Sequence, residues 1–149
     1  MVVARALLFA VLAALAGGCV LNENEDDHEA GVAIKRHVEQ EFVGGYGTSW
    51  DSLHPRHQRL VTRTEYEECR QGIDIEGTLE RVLIVDVEDE PLTVYGLRPQ
   101  TQSKAVEVRV TTDESEFTDT YHAVRVGNGW RWVFTDPAAR GFARTDCPS

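Results

Sequence analysis

The feature that most constrains the fold is a run of alternating apolar residues between Lys104 and Phe134. Its first part places every second side chain on one face of an extended strand, and these side chains are Val106, Val108 and Val110. Phe117 to Val126 forms a second β-rich run, and Gly127-Asn128-Gly129 leads from it into a third. An Asn-Gly pair between two such runs indicates a tight hairpin, because a type I′ turn needs positive φ at both central residues. The segment therefore predicts three consecutive antiparallel strands.

The turn positions predict which residues face one another across these strands. With Asn128-Gly129 as the turn, Arg125 faces Trp132, and with residues 113–116 as the preceding loop, Val108 faces Tyr121. Both registers place the same side chains on one face of the sheet, namely Val106, Val108, Val110, Tyr121, Ala123, Trp130, Trp132 and Phe134. The opposite face is largely polar. We therefore expect an antiparallel sheet that packs one face against other elements and exposes the other to water.

Helical periodicity dominates the first half of the chain. From Ala30 to Val43 the apolar residues recur every four positions, which predicts an amphipathic helix that ends at Gly44-Gly45. Residues 48–55 begin with capping residues and end at a proline, so they predict a short helix. Either Thr62 or Thr64 can cap a further short helix, since each is followed by a glutamate three positions later.

From residue 79 onward the period changes from four to two. Residues 81–87 predict a strand that the Glu88–Pro91 segment breaks, and residues 93–97 predict a short strand. The tail from Asp136 is expected to be irregular. Helices followed by antiparallel strands indicate an α+β fold, with one long and two short helices packed on a curved sheet of four to five strands.

Residues 1–18 have the pattern of a secretory signal peptide. Arg5 is followed by a continuous apolar stretch that is too short for a permanent membrane span, and then by small residues. Two cleavage sites are consistent with this segment. Ala14-Leu15-Ala16 fits an ordinary small-x-small site, whereas residues 15–19 resemble a bacterial lipobox, in which Cys19 receives the lipid. Ala16 departs from the leucine that the lipobox prefers.

The cysteine count favours the lipobox. The chain has three cysteines, an odd number for an oxidising compartment. Lipidation of Cys19 leaves Cys69 and Cys147 to form a disulfide, which would close a loop of about 80 residues and stabilise the fold by roughly 4 kcal/mol. Two unpaired thiols are the alternative. We expect a lipid-anchored protein on the outer side of the bacterial cytoplasmic membrane, with a secreted soluble protein as the alternative.

This interpretation divides the chain into three parts. Residues 1–18 are the signal peptide, residues 19–29 are the lipidated cysteine with an extended acidic tether, and residues 30–149 are one domain. Removing residues 1–18 takes away one of the 15 basic residues, Arg5, and none of the 25 acidic ones, which leaves a net charge of −11. Such a surface repels phosphate backbones, so nucleic-acid binding is excluded.

Several short patterns resemble a known family. They are Trp50-Asp-x-Leu53-His-Pro55, Tyr66-x-x-Cys69, the segment His122 to Trp132, and Cys147-Pro148. Together they are similar to small secreted and lipid-anchored bacterial proteins in the uncharacterised branches of the nuclear transport factor 2-like superfamily. The resemblance implies a cone, in which helices lie across a strongly bent sheet and enclose a pocket. That fold hosts isomerases, hydrolases, dehydratases, ligand binders and assembly modules, so the resemblance leaves the activity open.

The resemblance also implies which residues lie at the pocket. Those expected to line it are Trp50, Tyr66, Val108, Tyr121, Trp130 and Trp132. Enzymes of this superfamily use a carboxylate or histidine as base and a tyrosine or acid opposite it. Here Asp119 and Tyr121 share the inward face and are the catalytic candidates. In the alternative interpretation, Asp119 lies in water at the open end of the strand and Tyr121 is a packing residue.

No metal site or cofactor is predicted. His54, His57 and His122 are the histidines considered as ligands, but zinc needs three or four convergent ligands and a proline separates the first two. His54 is expected to cap a helix, and His37 to lie at the boundary of the apolar stripe of the first helix.

The leading functional hypothesis is a non-catalytic envelope lipoprotein whose domain binds a small apolar ligand or a protein partner. An isomerase- or dehydratase-like enzyme is one alternative, and a structural scaffold with a filled pocket is another. Val124, Val126 and Val133 on the outer face of the sheet suggest a homodimer formed through the sheet.

Overall fold

The computed structural model describes residues 23–73, 75 and 77–148. Over this part of the chain four helices precede an antiparallel sheet and one helix follows it. The helices are α1 (Glu23–Phe42), α2 (Tyr46–Asp51), α3 (Pro55–Gln58), α4 (Arg63–Gln71) and α5 (Asp136–Ala143). The strands are β1 (Leu79–Leu92), β2 (Thr101–Thr112), β3 (Glu116–Val126) and β4 (Gly129–Trp132). The predicted α+β class is confirmed.

The four strands form one open sheet in the order β1-β2-β3-β4, and every neighbouring pair is antiparallel. The alternating valines of β2 form the centre of its packed face, since Val106, Val108 and Val110 are all 0% exposed. Ile34 and Val38 of α1 belong to the same buried cluster. The helical stripe and the strand alternation therefore meet in one core, as the two periodicities predict.

The strand registers differ from those predicted by two residues. Arg125 pairs with Trp130 instead of Trp132, and Val108 pairs with Asp119 instead of Tyr121. The loop between β3 and β4 is Gly127-Asn128, because Val126 already pairs with Gly129. Positive φ occurs at Gly127, the first central residue, and not at Asn128, which is the pattern of a type II′ turn and not type I′. A shift of two residues keeps every side chain on its face, so the predicted division between the two faces survives.

β1 is one strand of 14 residues, whereas the sequence predicted a break at Glu88–Pro91. It lies at the edge of the sheet. Pro91 is tolerated there because an edge strand has a neighbour on one side only, so the N–H that proline lacks is not needed to pair with a further strand. A register shift between Ile84 and Asp86 bends the strand. The predicted short strand over 93–97 is wrong, since β1 ends at Leu92.

α1 begins seven residues before the predicted helix. The sequence predicted an extended acidic tether over residues 19–29, but residues 23–29 are helical; residues 19–22 lie outside the described part. Tertiary ion pairs explain the difference. Asp26 pairs with Arg125 of β3, and Asp27 lies 2.6 Å from the ammonium group of Lys104 on β2. These pairs hold the acidic turn against the sheet. Without such partners, the acidic segment would be extended.

Three of the short helices, α3, α4 and α5, begin at residues with capping side chains, whereas α2 follows Gly45, which forms no side-chain cap. His54 accepts a hydrogen bond from the backbone N–H of Arg56, which confirms its predicted capping role. Of the two alternatives for α4, Thr62 is the cap, and it forms a reciprocal capping box with Glu65. α5 contradicts the prediction of an irregular tail. Its N-cap is Thr135, whose side chain accepts a hydrogen bond from the backbone N–H of Ala138.

A disulfide joins Cys69 of α4 to Cys147 in the tail, as predicted. It encloses the sheet and α5 in one covalent loop, with a sequence separation of 78 residues. The outer face of the sheet differs from expectation. Of the three valines predicted there, Val124 and Val133 are only 5% and 6% exposed within the single chain, and Val126 is partly exposed. The homodimer stays a prediction.

Candidate functional site

A cavity of about 450 Å³ lies between the helices and the packed face of the sheet. Its walls come from α1, α4, α5, β3 and the end of β4. The apolar part of the wall includes Val38, Phe42, Ile75, Phe134, Ala138 and Phe142. The polar part includes His37, Glu41, Tyr66, Arg70 and Tyr121. The cavity is thus mainly apolar, with its polar groups contributed chiefly by α1 and α4.

Helix geometry accounts for this polar cluster. His37 and Glu41 are four residues apart on α1, and Tyr66 and Arg70 are four residues apart on α4. Side chains with this spacing lie on the same face of a helix, one turn apart. Where the two helices face each other, each contributes two polar groups to the same wall. Ser49 of α2 completes the cluster and is 0% exposed.

The polar groups form a continuous chain of contacts. The Nδ1 atom of His37 lies 2.8 Å from Ser49 Oγ, and Ser49 Oγ lies 3.5 Å from the hydroxyl oxygen of Tyr66. Tyr66 donates its hydroxyl hydrogen to Glu41 Oε1 over 2.6 Å. Arg70 Nε donates to the other oxygen of the same carboxylate over 2.5 Å. The chain therefore runs from an imidazole to an ion pair, through two hydroxyl groups.

The aromatic side chains hold the imidazole in place. The rings of His37 and Trp132 are stacked, with centroids 3.8 Å apart and an interplanar angle of 14°. Tyr121 contacts the same imidazole edge-on, with centroids 5.7 Å apart. The indole N–H of Trp132 donates to the backbone oxygen of Ser49 over 2.8 Å. Trp132 therefore positions both the imidazole and the turn of α2 that carries its hydroxyl partner.

Burial determines the protonation states of this cluster. Desolvation lowers the pKa of His37 to about 4, a shift that the negative charge of Glu41 opposes and the positive charge of Arg70 reinforces. The imidazole is therefore neutral at physiological pH. Burial, followed by the charge of Glu41, raises the pKa of Tyr66, and burial with the charge of Asp119 raises that of Tyr121 to about 12. Both phenols therefore keep their protons.

Three of the six residues predicted to line the pocket do so, namely Tyr66, Tyr121 and Trp132. The other three have different roles. Trp50 donates its indole N–H to the backbone oxygen of Val61. Val108 is completely buried in the core. Trp130 lies beneath Arg125, whose guanidinium carbon is 5.7 Å from the ring centroid.

The catalytic pair suggested from the sequence is not assembled in the cavity. Asp119 is exposed, as are all residues of β3 from Glu116 to Thr120, and it does not line the cavity. Its carboxylate accepts from the backbone N–H of Thr120 over 2.8 Å. Tyr121, two residues further along the strand, is half-buried and reaches the cavity. The alternative interpretation of Asp119, as a residue in water at the open end of its strand, agrees with this position.

Comparison of the chain with protein-family models, with curated proteins and with solved structures gives no match. What the cavity does must therefore follow from its geometry.

The sequence reasoning missed most of the polar cluster. His37 was assigned to the boundary of the helix stripe, and Glu41, Ser49 and Arg70 were not singled out. A signal was present for the two residues of α1, because His37 and Glu41 are one turn apart beside an apolar stripe. There was no such signal for Ser49, since a buried serine in a short helix cannot be told from an exposed serine until its neighbours in space are known.

The three histidines considered as metal ligands have other partners. His54 caps α3, His57 contacts the backbone at Tyr95 and Phe134, and His122 Nε2 lies 2.8 Å from Glu90. Within the described residues no group of three or more His, Cys, Asp or Glu side chains is arranged to hold a metal ion. None of the helices in that part of the chain is both long and apolar enough to span a membrane.

A second cavity of about 330 Å³ lies beside the disulfide. It shares Cys69 and Phe142 with the first cavity, and its rim carries Glu65, Glu68 and Asp146. It lacks the buried polar chain of the first cavity, which makes the first the better candidate for a specific ligand.

Proposed function

We propose that this domain binds a small, largely apolar molecule in the cavity of about 450 Å³ between α1, α4 and the sheet. The observation that carries the proposal is the combination of volume and lining. Ligand sites typically have volumes of about 300–1,000 Å³ and apolar walls with a few well-placed polar groups. Phe42, Phe134 and Phe142 supply apolar wall, while one imidazole and one ion pair supply the polar groups.

The arrangement supports a binding module better than an enzyme. Ser49 Oγ is sealed from the cavity, since this residue is 0% exposed, and so it cannot attack a bound substrate. Both carboxylate oxygens of Glu41 are engaged, one by Tyr66 and the other by Arg70, so neither is positioned to take a proton from a bound substrate. An isomerase- or dehydratase-like enzyme is the second candidate. It is supported by His37, a neutral imidazole at the cavity wall, in place of Asp119.

The likeness to the nuclear transport factor 2-like superfamily is also part of this proposal. A long helix and shorter ones that cover one face of an antiparallel sheet, with a cavity between the layers, support it. The strongly bent, cone-shaped sheet that the superfamily implies is likewise proposed for this chain.

We further propose that the domain is displayed outside the cytoplasm and is anchored through a lipid on Cys19. The Cys69–Cys147 disulfide supports an oxidising compartment and leaves Cys19 outside the pair. Residue 19 lies outside the described residues, so the support for the anchor is the lipobox-like sequence. Cys19→Ser in the full chain should release the protein from the membrane fraction. Unchanged membrane association would contradict the anchor.

Cavity filling tests the binding function. Ala138 lines the cavity on α5, and Ala143 lies exposed at the end of the same helix. We expect the full chain to bind the neutral fluorescent probe N-phenyl-1-naphthylamine. Ala138→Phe should weaken that binding by at least about tenfold, because the new ring occupies the cavity. Ala143→Phe is the matched control and should bind as the original chain does.

Two outcomes would contradict the proposal. Either the original chain fails to bind this probe at any concentration at which it stays soluble, or Ala138→Phe binds it as well as Ala143→Phe does. Circular dichroism should show that both variants are folded before the affinities are compared.

A further inference from the structure

The direction of the hydrogen bond between Tyr66 and Glu41 is set by the carboxylate. Its carboxylate is paired with the guanidinium group of Arg70 and can only accept hydrogen bonds. Tyr66 must therefore donate its single hydroxyl hydrogen to Glu41, at 2.6 Å. The oxygen of Tyr66 then has no hydrogen left for Ser49, and it can only accept a hydrogen bond from that side.

The Ser49 hydroxyl links Tyr66 to the imidazole of His37. Its single hydrogen can point at the Tyr66 oxygen over 3.5 Å or at Nδ1 of His37 over 2.8 Å. In the first arrangement, Ser49 meets His37 with a lone pair. A hydrogen bond between Ser49 Oγ and His37 Nδ1, at 2.8 Å, then requires the hydrogen to be on Nδ1. In a neutral imidazole the other nitrogen, Nε2, carries a lone pair and no hydrogen.

The packing of His37 leaves this second nitrogen for the cavity. The Nδ1 edge of the ring faces Ser49 and one ring face is covered by Trp132. Nε2 has no hydrogen-bond partner among residues 23–73, 75 and 77–148, although the side chain is 96% buried and lines the cavity. Burial also lowers the pKa of His37 to about 4, so protonation does not remove the lone pair at neutral pH.

We propose that His37 Nε2 is the hydrogen-bond acceptor of the cavity, and that the ligand carries a hydroxyl or N–H group on an otherwise apolar body. The inference rests on the proposed function and names the chemical class of the ligand. A ligand whose polar group only accepts hydrogen bonds places two lone pairs against each other at this position and leaves Nε2 desolvated without a partner.

The tautomer of His37 can be measured directly. In the ¹⁵N-labelled full chain at pH 7, we expect Nδ1 of His37 to be protonated and Nε2 to have the chemical shift of an unprotonated ring nitrogen. Tyr66→Phe keeps the ring in place and removes the acceptor of the Ser49 hydroxyl. Ser49 can then donate to Nδ1, so the Nε2–H tautomer should become populated in this variant. A protonated Nε2 in the original chain would overturn the inference.

Ligand discrimination provides the second test, with two probes that differ in one hydrogen-bond donor. We expect the full chain to bind 2-naphthol about tenfold more tightly than 2-methoxynaphthalene, since the second compound lacks the hydroxyl hydrogen. His37→Phe retains a ring against Trp132 and should bind both probes with similar affinity. Tyr66→Phe, which preserves His37, should reduce the preference as the tautomer changes.

The outcomes separate the two proposals. Equal affinities of the original chain for both probes would overturn the donor requirement and leave apolar binding intact. Failure of these two probes and of N-phenyl-1-naphthylamine to bind would overturn the proposed function and this inference with it. A preference that persists unchanged in folded His37→Phe would assign the acceptor to another residue and refute the role of His37.

Discussion

Acidification should destabilise this protein through its buried histidines, and His57 shows why most clearly. His57 is 0% exposed, and both ring nitrogens are hydrogen-bonded. Nδ1 accepts from the backbone N–H of Phe134 over 2.9 Å, so Nε2 carries the hydrogen and donates to the backbone oxygen of Tyr95 over 3.0 Å. A second proton on Nδ1 would be directed at an N–H group. The folded chain therefore holds this imidazole in its neutral form.

The size of the effect follows from the pKa shift. Desolvation lowers the pKa of His57 from 6.5 to about 4, with the hydrogen bond to Tyr95 opposing the shift and His54 reinforcing it. The unfolded chain thus binds this proton at higher pH than the folded chain, so stability falls as the pH drops from 6.5 toward 4. At pH 5 this amounts to about 2 kcal/mol, rising to roughly 3 kcal/mol below pH 4.

His37 has a pKa lowered to about 4 as well, chiefly by burial, with Glu41 and Arg70 as the charged groups that face it. The two histidines together should therefore remove about 4 kcal/mol from the free energy of unfolding between pH 7 and pH 5. Above about pH 7.5 both states hold the imidazoles neutral, and neither histidine contributes a pH dependence.

Urea denaturation of the full chain at pH 7, 6 and 5 measures this loss, and an NMR titration gives the pKa of each imidazole. His57→Gln is the matched variant. It should be less stable at pH 7, because the backbone N–H of Phe134 loses its acceptor, but it should lose only about half as much further stability at pH 5. The reasoning is refuted if His57 titrates near pH 6.5, or if acidification weakens His57→Gln as much as the original chain.

Two further predictions concern the core and its covalent closure. Replacing Cys69 and Cys147 together by serine should lower the free energy of unfolding by about 4–5 kcal/mol, because the disulfide closes a loop of 78 residues; an unchanged urea midpoint would contradict this. Trp132→Ala should cost about 3–5 kcal/mol in the same assay, since the indole is 6% exposed and packs against His37 and Phe134. A loss below about 1 kcal/mol would show that Trp132 is not a core residue.

The catalytic pair suggested from the sequence differs from the set of polar residues that line the cavity. Sequence reasoning selected Asp119 because it shares a strand face with Tyr121, and it does. Sharing a face does not establish burial, however, since the first five residues of β3 are exposed. The imidazole and the carboxylate that do line the cavity, those of His37 and Glu41, come from the first helix. Their selection depends on which helix face meets α4, and no local pattern states that.

Features with a local cause were accessible from the sequence. The alternation of β2, the four-residue stripe of α1 and the capping box at Thr62 each involve residues within a few positions of one another, so propensity and periodicity are enough to predict them. The cysteine pairing followed from counting, since assigning Cys19 of the three cysteines to the expected lipid leaves a single pair, and that pair is the disulfide. A local start signal for α5 was also present, in Thr135-Asp136-Pro137, and was overlooked.

Features with a distant cause were decided by the tertiary structure. The acidic turn of α1 is helical because Lys104 and Arg125, far along the chain, neutralise its carboxylates. The continuity of β1 through Pro91 depends on its place at the sheet edge. The polar chain from His37 to Glu41 needs three helices to converge on one point, and only there is the imidazole buried in its neutral form and the Tyr66 hydroxyl brought to the Glu41 carboxylate. Periodicity determines which face of an element is buried, whereas the partners of a buried polar group depend on long-range packing.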